Sequence, residues 1–189
     1  MKKRLGPTDR IYPMPCPIVA AGSMDAPAGL AVAWIGIASH TPPSISMALR
    51  RSRHTYALIA ELGEFTVNFP SSEQAEQADL FGIVSGRDVD KFDVSGWSAA
   101  PAAIVSAPLI EECAYNLECR VTHEIGIGEY VLVVGEIVES HAEEAILVES
   151  GDAVDVAALD PLVYIAGSQD YRRLGEKVAD AFQAGRELL

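Results

Sequence analysis

Positive charge is scarce in this chain: 14 Lys and Arg stand against 27 Asp and Glu, a formal net charge of -13 over 189 residues. So acidic a surface argues against non-specific binding to nucleic acid or anionic lipid. The basic residues interleaved with aromatics that a single-strand platform needs are missing as well. Cysteine is sparse too. Cys16, Cys113 and Cys119 are an odd set without a C-x-x-C pair, which fits reduced, packed thiols in a reducing compartment. The histidines at 40, 54, 123 and 141 form no ligand-spaced group, so no metal site is expected. Long apolar runs are lacking. Residues 26 to 49 carry no formal charge, but their apolar core, Leu30 to Ala38, is short and Pro42 and Pro43 would break a spanning helix. "MKKRLG" leads into Pro, Asp and Arg, not into the apolar run of a signal peptide. A cytoplasmic protein that avoids membranes is expected.

What is present is the composition of a globular chain, 49% hydrophobic and 22% charged, long enough for a single domain over residues 1 to 189 with a sizeable core. Its few cations are unevenly spread. Between Glu111 and Asp160 only Arg120 is basic, whereas Arg50, Arg51 and Arg53 crowd into "ALRRSRHT", residues 48 to 55.

The first half reads as short strands punctuated by Pro and Gly. "PIVAAGS", "LAVAWIGIAS" and "SISMAL" are β-compatible, the last two joined by "HTPP" as a turn. Thr55 is a plausible N-cap for a short helix through "YALIAEL" that Gly63 stops. "EFTVNF" alternates as a strand closed by Pro70, and Asn68 there suits a strand-end hydrogen-bonding role. Ser71 and Gln74 form a capping-box pattern for a helix to about Phe81. "VSGRDVDKFDVSGWSAAPAA" has no clear period and reads as a long loop.

"AYNLECRVTHEI" and "YVLVVGEIVESHA" form two strands about a "GIG" turn. If the first is extended throughout, Cys113 and Cys119 share a face. Gly126 and Gly128 lack the third glycine and following helix of a nucleotide loop. "PLVYIAG" gives a further strand, and the spacing Tyr171, Leu174, Val178, Ala181, Phe182 predicts an amphipathic C-terminal helix over about 170 to 187. Strands in hairpins with helices between them predict a mainly β fold with peripheral helices, an antiparallel closed or split barrel over about 15 to 167. Strand and helix do not alternate as a doubly wound α/β fold requires.

Arg50, Arg51, Arg53, His54 and Thr55 lie where a strand passes into a helix. Guanidinium donors, a hydroxyl and free N–H groups at the helix start can converge there on a phosphate. The competing reading is a solvated run paired with neighbouring carboxylates.

The chain resembles the flavin reductase-like proteins of the FMN-binding split-barrel superfamily, in particular the flavoredoxin branch, from about Pro17 to Gly175. The resemblance rests on "LAVAWIGIAS", "TPPSISMAL" followed by R-x-x-R-H-T, "GEFTVNFPS", "DVDKF", "APLIEE", "YVLVVGEIV" and "DPLVYIAGSQDY", in that order. It implies a six-stranded Greek-key split β-barrel, a homodimer, and FMN near the dimer interface. Arg50, Arg53 and Thr55, with His54 beside them, match the segment that holds the FMN phosphate. Ala33, Trp34, Ile35 and Ser39 match the strand that borders the flavin, Lys91 the loop lysine that approaches it, and Tyr164 an aromatic near the ring. Two positions depart from the family: Ala28 stands where Asn is common, and Gly128, Glu129, Tyr130 where a G-D-H segment is common.

Each of these residues has a plainer role available. Trp34 could be a core or interface aromatic. Lys91, among Asp88, Asp90 and Asp93, could form an exposed ion pair. Tyr164 could fill the barrel end, and Ser39 could cap the turn before Thr41.

The activity implied by the resemblance is hydride transfer from NADH or NADPH to flavin, then electron delivery to free flavin, another small molecule or a protein. No side-chain acid or base is needed for that hydride step, so no catalytic residue is named. The alternatives are a flavoredoxin-like FMN electron carrier without its own NAD(P)H activity, and a barrel that has lost the flavin.

Overall fold

The protein, described over residues 1–188 by a computed structural model, is built mainly of strands. In chain order these elements are β1 (Met14–Pro15), β2 (Ile18–Ser23), β3 (Ala26–Ala31), β4 (Ile35–His40), β5 (Pro43–Arg50), α1 (His54–Leu62), β6 (Glu64–Phe69) and α2 (Ala75–Ile83). Then come α3 (Lys91–Ser95), β7 (Ala99–Ala100), β8 (Leu109–Ile110), β9 (Tyr115–Ile127), β10 (Tyr130–Ala142), α4 (Val156–Leu159), β11 (Val163–Ile165) and β12 (Asp170–Arg172). A seven-stranded antiparallel sheet in the order β3-β2-β6-β9-β10-β5-β4 dominates.

The two edges of this sheet, β3 and β4, are consecutive in sequence but do not pair. The run "LAVAWIGIAS" is therefore two strands. Between them Val32 donates its N–H to Pro17 O on one side, and Trp34 O accepts from Ala48 N on the other. The chain thus crosses the opening of the curled sheet at residues 32 to 34.

Inside the curl, alternate residues of each strand make the main core: Val19, Leu30, Ile45, Met47, Phe65, Val67, Leu117, Val131 and Val133, with Tyr56 and Ile59 of α1 closing it. A second cluster, including Cys16, Ile18, Phe81, Phe92, Trp97, Ile110 and Cys113, packs α2 and α3 outside β2 and β3. The β9–β10 hairpin turns at Gly128 and Glu129, and Gly128, at φ 58°, supplies the positive φ that a type II′ loop needs at its first position. All three thiols are free and buried, but Cys113 precedes β9 and lies in the second cluster whereas Cys119 lies in the first. They share no strand face.

Three local expectations are corrected. The N-cap of α1 is Arg53, with no side-chain cap, and Thr55 lies buried in the first turn. The helix begins early because Arg53 N–H bonds Arg50 O and Ala57 N–H bonds Arg53 O, so the turn leaving β5 feeds straight into it. The loop after Val84 contains α3, which Asp90 caps by accepting from the N–H groups of Phe92 and Asp93.

The predicted C-terminal helix is not formed. Asp170–Arg172 is strand β12 paired with β11, residues 173 to 180 have no regular structure, and only Arg186–Leu188 makes a 3₁₀ turn. Tyr171 is drawn into the strand by its bond to Asp79. Val178 and Phe182 stay almost wholly exposed, and an amphipathic stripe with nothing to cover it gives little support to a short helix. Among the described residues no helix is long and apolar enough to cross a membrane.

Candidate functional site

A cleft lies at the opening of the sheet. Leu30 and Ala31 of β3, the crossing residues Val32, Ala33 and Trp34, and Ala48 to Arg50 of β5 line it, with Arg53 and Tyr130. β5 ends here because the chain turns at Arg51 to enter α1, so Arg50 and Arg53 both stand at the mouth. Register places Tyr130 directly across from Arg50. Arg50 Nε donates to Tyr130 Oη at 2.8 Å, and Tyr130 packs on Trp34 with ring centroids 5.0 Å apart.

Arg120, Arg172, Arg173 and Lys177 all pair with carboxylates, but among the described residues none pairs with Arg50, Arg51 or Arg53. The three arginines are solvent-exposed, as in a surface run, but among the described residues hold no carboxylate within ion-pair distance. The N-terminus of α1 has neither a side-chain cap nor an acidic residue in its first turn. The unpaired guanidinium groups of Arg50 and Arg53 at one mouth, the latter at the N-cap of α1, suit a bound anion. The cleft holds about 190 Å³, less than the ~300 Å³ of a self-contained small-molecule pocket. A ligand of nucleotide size would extend beyond it.

Residues 9–173 match the family described as the flavin reductase like domain. The chain belongs to that family. Its fold matches the flavoredoxin of Desulfovibrio vulgaris (Miyazaki F) with a TM-score of 0.92 and 36% identity, covering 98% of this chain and 100% of that one. The flavoredoxin of Methanosarcina acetivorans matches with a TM-score of 0.93 and 31% identity over the whole of both chains. An uncharacterized protein of Archaeoglobus fulgidus is 33% identical over 127 residues, 67% of this chain and 71% of that one. The split-barrel fold is that of these flavin reductase-like proteins.

Within this flavin reductase-like chain, Ala33, Trp34, Arg50 and Arg53 come together at the cleft. Ile35 is half-buried against the main core. Ser39 lies at the far end of β4, where its Oγ accepts from Thr41 N–H at 3.2 Å and caps the turn. His54 lies on the other flank of the arginines and lines a second cavity of about 330 Å³ with Ala28, Gly29, Arg87 and Lys91.

Lys91 is not in an exposed ion pair. Its side chain is buried, and Nζ donates to Gly29 O at 2.9 Å and Phe81 O at 2.7 Å. Burial first, and the charge of Arg53 second, lower its pKa to about 8. A third cavity, about 300 Å³, shares Ala31 and Ala33 with the cleft and holds Tyr164, Tyr171, Asp79, Cys16 and Gln169. Tyr164 packs there on Tyr171, whose hydroxyl donates to Asp79 at 2.8 Å.

Asn68 has the hydrogen-bonding role its position suggested: it donates to Ile18 O and Thr66 Oγ1, and accepts from Ile110 N and Asn116 Nδ2. Tyr130 carries no site signal in the sequence beyond its departure from the family pattern, yet it lines the cleft and bonds Arg50. Tyr130 directly follows the two-residue loop at Gly128 and Glu129 and so opens β10, and the β5–β10 register brings it next to Arg50.

Proposed function

We propose that this flavin reductase-like protein binds FMN across the sheet opening and serves as an NAD(P)H-linked oxidoreductase. One observation carries the reading: two unpaired arginines and an uncapped helix start stand beside an aromatic pair at the mouth of one cleft. These donors fit the nucleotide. Arg50, Arg53 and the first turn of α1 would hold its phosphate, while Ala31 and Ala33, small enough to admit a flat ring, would face Trp34 and Tyr130 around the isoalloxazine. Held there, FMN would supply the redox chemistry of an NAD(P)H-linked reaction whose acceptor is free flavin, another small molecule or a protein, while these residues bind and orient it. Lys91 adds a buried positive charge near Arg53, and the apolar floor of Leu30, Val32 and Leu49 keeps water from the inner side.

We further propose that the working form is a homodimer in the cytoplasm. The outward face of β9, β10 and β5 carries Ile125, Ile127, Leu132, Val134 and Ala48 in register. Among the described residues no helix makes an extensive contact with it. Exposed apolar surface of this kind marks an interaction site, and a second subunit laid there would extend a cleft too small to enclose the ligand alone. The buried, unbridged thiols suit a reducing compartment.

A second reading is a flavoredoxin-like carrier that needs a separate reductase, favoured by the full-length similarity to two flavoredoxins. The visible spectrum of the purified protein, recorded before and after anaerobic addition of NADH and of NADPH, separates the two. Yellow colour that bleaches with either nucleotide is the expected result. Colour that persists until a reductase is supplied supports the carrier, and a colourless protein that takes up no added FMN overturns both.

A further inference from the structure

We infer that Tyr130 is a positioning residue for phosphate recognition: its hydroxyl sets the guanidinium of Arg50 so that the site distinguishes a phosphorylated flavin from the same ring without phosphate. The inference rests on the FMN reading and adds a role that the family resemblance does not supply, since a different residue is common at this position.

The placement follows from the backbone. The loop at Gly128 and Glu129 returns β10 so that Tyr130 is the cross-strand partner of Arg50, and directly opposed side chains lie within contact of one another. Tyr130 Oη accepts from Arg50 Nε at 2.8 Å, and Arg50 Cζ lies 5.4 Å from the centre of the same ring. Both interactions favour one orientation of the guanidinium plane. Engaging Nε leaves the terminal amino groups of Arg50 without partners among the described residues, a fork free for two phosphate oxygens.

Arg50 is exposed, so without this bond its long side chain would sample many rotamers, all of which anion binding would have to restrict. Glu129 is close enough to raise the Arg50 pKa together with the Tyr130 bond, although it makes no ion pair with it. A guanidinium released by Tyr130 would be free to turn towards that carboxylate and away from the cleft. The Tyr130 ring also packs on Trp34, 5.0 Å between centroids and tilted by 30°. Tyr130 therefore joins the anion donor to the aromatic wall, and its hydroxyl and ring have separable effects.

The test compares dissociation constants for FMN and riboflavin, from quenching of flavin fluorescence, in the wild type and in Tyr130→Phe, Arg50→Lys and the double variant. Tyr130→Phe keeps the ring on Trp34 and loses the bond to Arg50. It should weaken FMN about fivefold, the size of one ordinary net hydrogen bond of about 1 kcal/mol, with riboflavin affinity within about twofold of wild type. In Arg50→Lys, which keeps the charge but has no Nε, adding Tyr130→Phe should change FMN affinity no further.

Unchanged FMN affinity in Tyr130→Phe overturns the assignment, as does an equal loss for both flavins or additive losses in the double variant. Wild-type protein that binds neither flavin overturns the FMN reading and this inference with it. Wild-type protein that binds FMN tightly while Tyr130→Phe does the same overturns the inference alone. Riboflavin binding confirms in the same titration that each variant is folded.

Discussion

His141 Nε2 meets the fully buried carboxylate of Glu118 at 2.6 Å, and the same carboxylate accepts the N–H groups of Ala103 and Ile104 at 2.7 Å and of Val105 at 2.9 Å. Glu118 on β9 thus pins a loop that has no strand partner of its own. Burial alone would raise its pKa, but the three backbone donors and His141 outweigh that and hold it below the ordinary value. A depressed carboxylate pKa stabilises the fold above the unfolded-state value, and the gain is lost as pH falls through the folded-state value. Glu118→Gln is expected to lower stability by about 3 kcal/mol at neutral pH. In urea unfolding, the gap between wild type and variant should close as pH falls below 4.5. A gap independent of pH would contradict this account.

Arg53 and Arg51 are two positions apart but face different surroundings. Arg53 lines the cleft, whereas Arg51 Nη2 lies over the hairpin, 2.6 Å from where a Cβ on Gly126 would be. Arg53→Ala is expected to weaken FMN binding by about 30-fold, the loss of a charge-assisted contact of roughly 2 kcal/mol. Arg51→Ala should change it by less than about threefold, because that guanidinium is outside the cleft. Flavin fluorescence titration measures both, and equal affinities in the two variants and wild type would remove the phosphate assignment.

Lys91 should show itself in alkaline stability. Its folded pKa of about 8 lies below its unfolded value of 10.5. Below pH 8 both states carry the proton and the cost of burying the charge is fully present, and that cost lifts as pH rises between the two values. The unfolding free energy of wild type relative to Lys91→Met is therefore expected to rise from pH 8 to pH 10. Taking the difference cancels the opposing contribution of the buried thiols, whose pKa values are raised by burial.

Most of the barrel was legible because its strands carry a period of two and its turns carry the residues their geometry demands. β6 and β10 fall where "EFTVNF" and "YVLVVGEIVESHA" end, bounded by Pro70 and by the loop at Gly128 and Glu129. Local patterns failed where partners decided the outcome. Residues 171 to 182 have helical spacing, but β11 claims Tyr171 and nothing covers Val178 or Phe182. Lys91 looked solvated among aspartates, yet two carbonyls distant in sequence hold it inside. The arginine cluster was visible from charge alone. Its lack of carboxylate partners and its link to Tyr130 needed the register between β5 and β10.

Gly29 is expected to tolerate no side chain. A Cβ there would lie 2.5 Å from Cε1 of the fully buried Phe81, which has no room to retreat. Gly29→Ala should cost about 2 kcal/mol through overpacking. Because Gly29 O and Phe81 O are the two acceptors of Lys91 Nζ, the same change should disturb the lysine. Combined with Lys91→Met, the losses should fall short of additive in denaturant unfolding, and strictly additive losses would show that the two sites are uncoupled.

Leu132 tests the proposed assembly. It sits on the outward face between Ile125 of β9 and Ala48 of β5, one pair along from Tyr130 and Arg50 on the same side of the sheet. Multi-angle light scattering of the wild type is expected to give twice the 20.2 kDa chain mass. Leu132→Glu should give a folded monomer, since a carboxylate cannot be buried in an apolar interface without a partner. If the second subunit completes the cleft, that monomer should bind FMN at least about tenfold more weakly, the order expected when a sizeable share of the ligand's contacts is lost, with Arg50 and Arg53 still in place. A wild-type monomer would remove the dimer. A monomeric variant with undiminished FMN affinity would leave the dimer intact but show that one chain alone supplies the site.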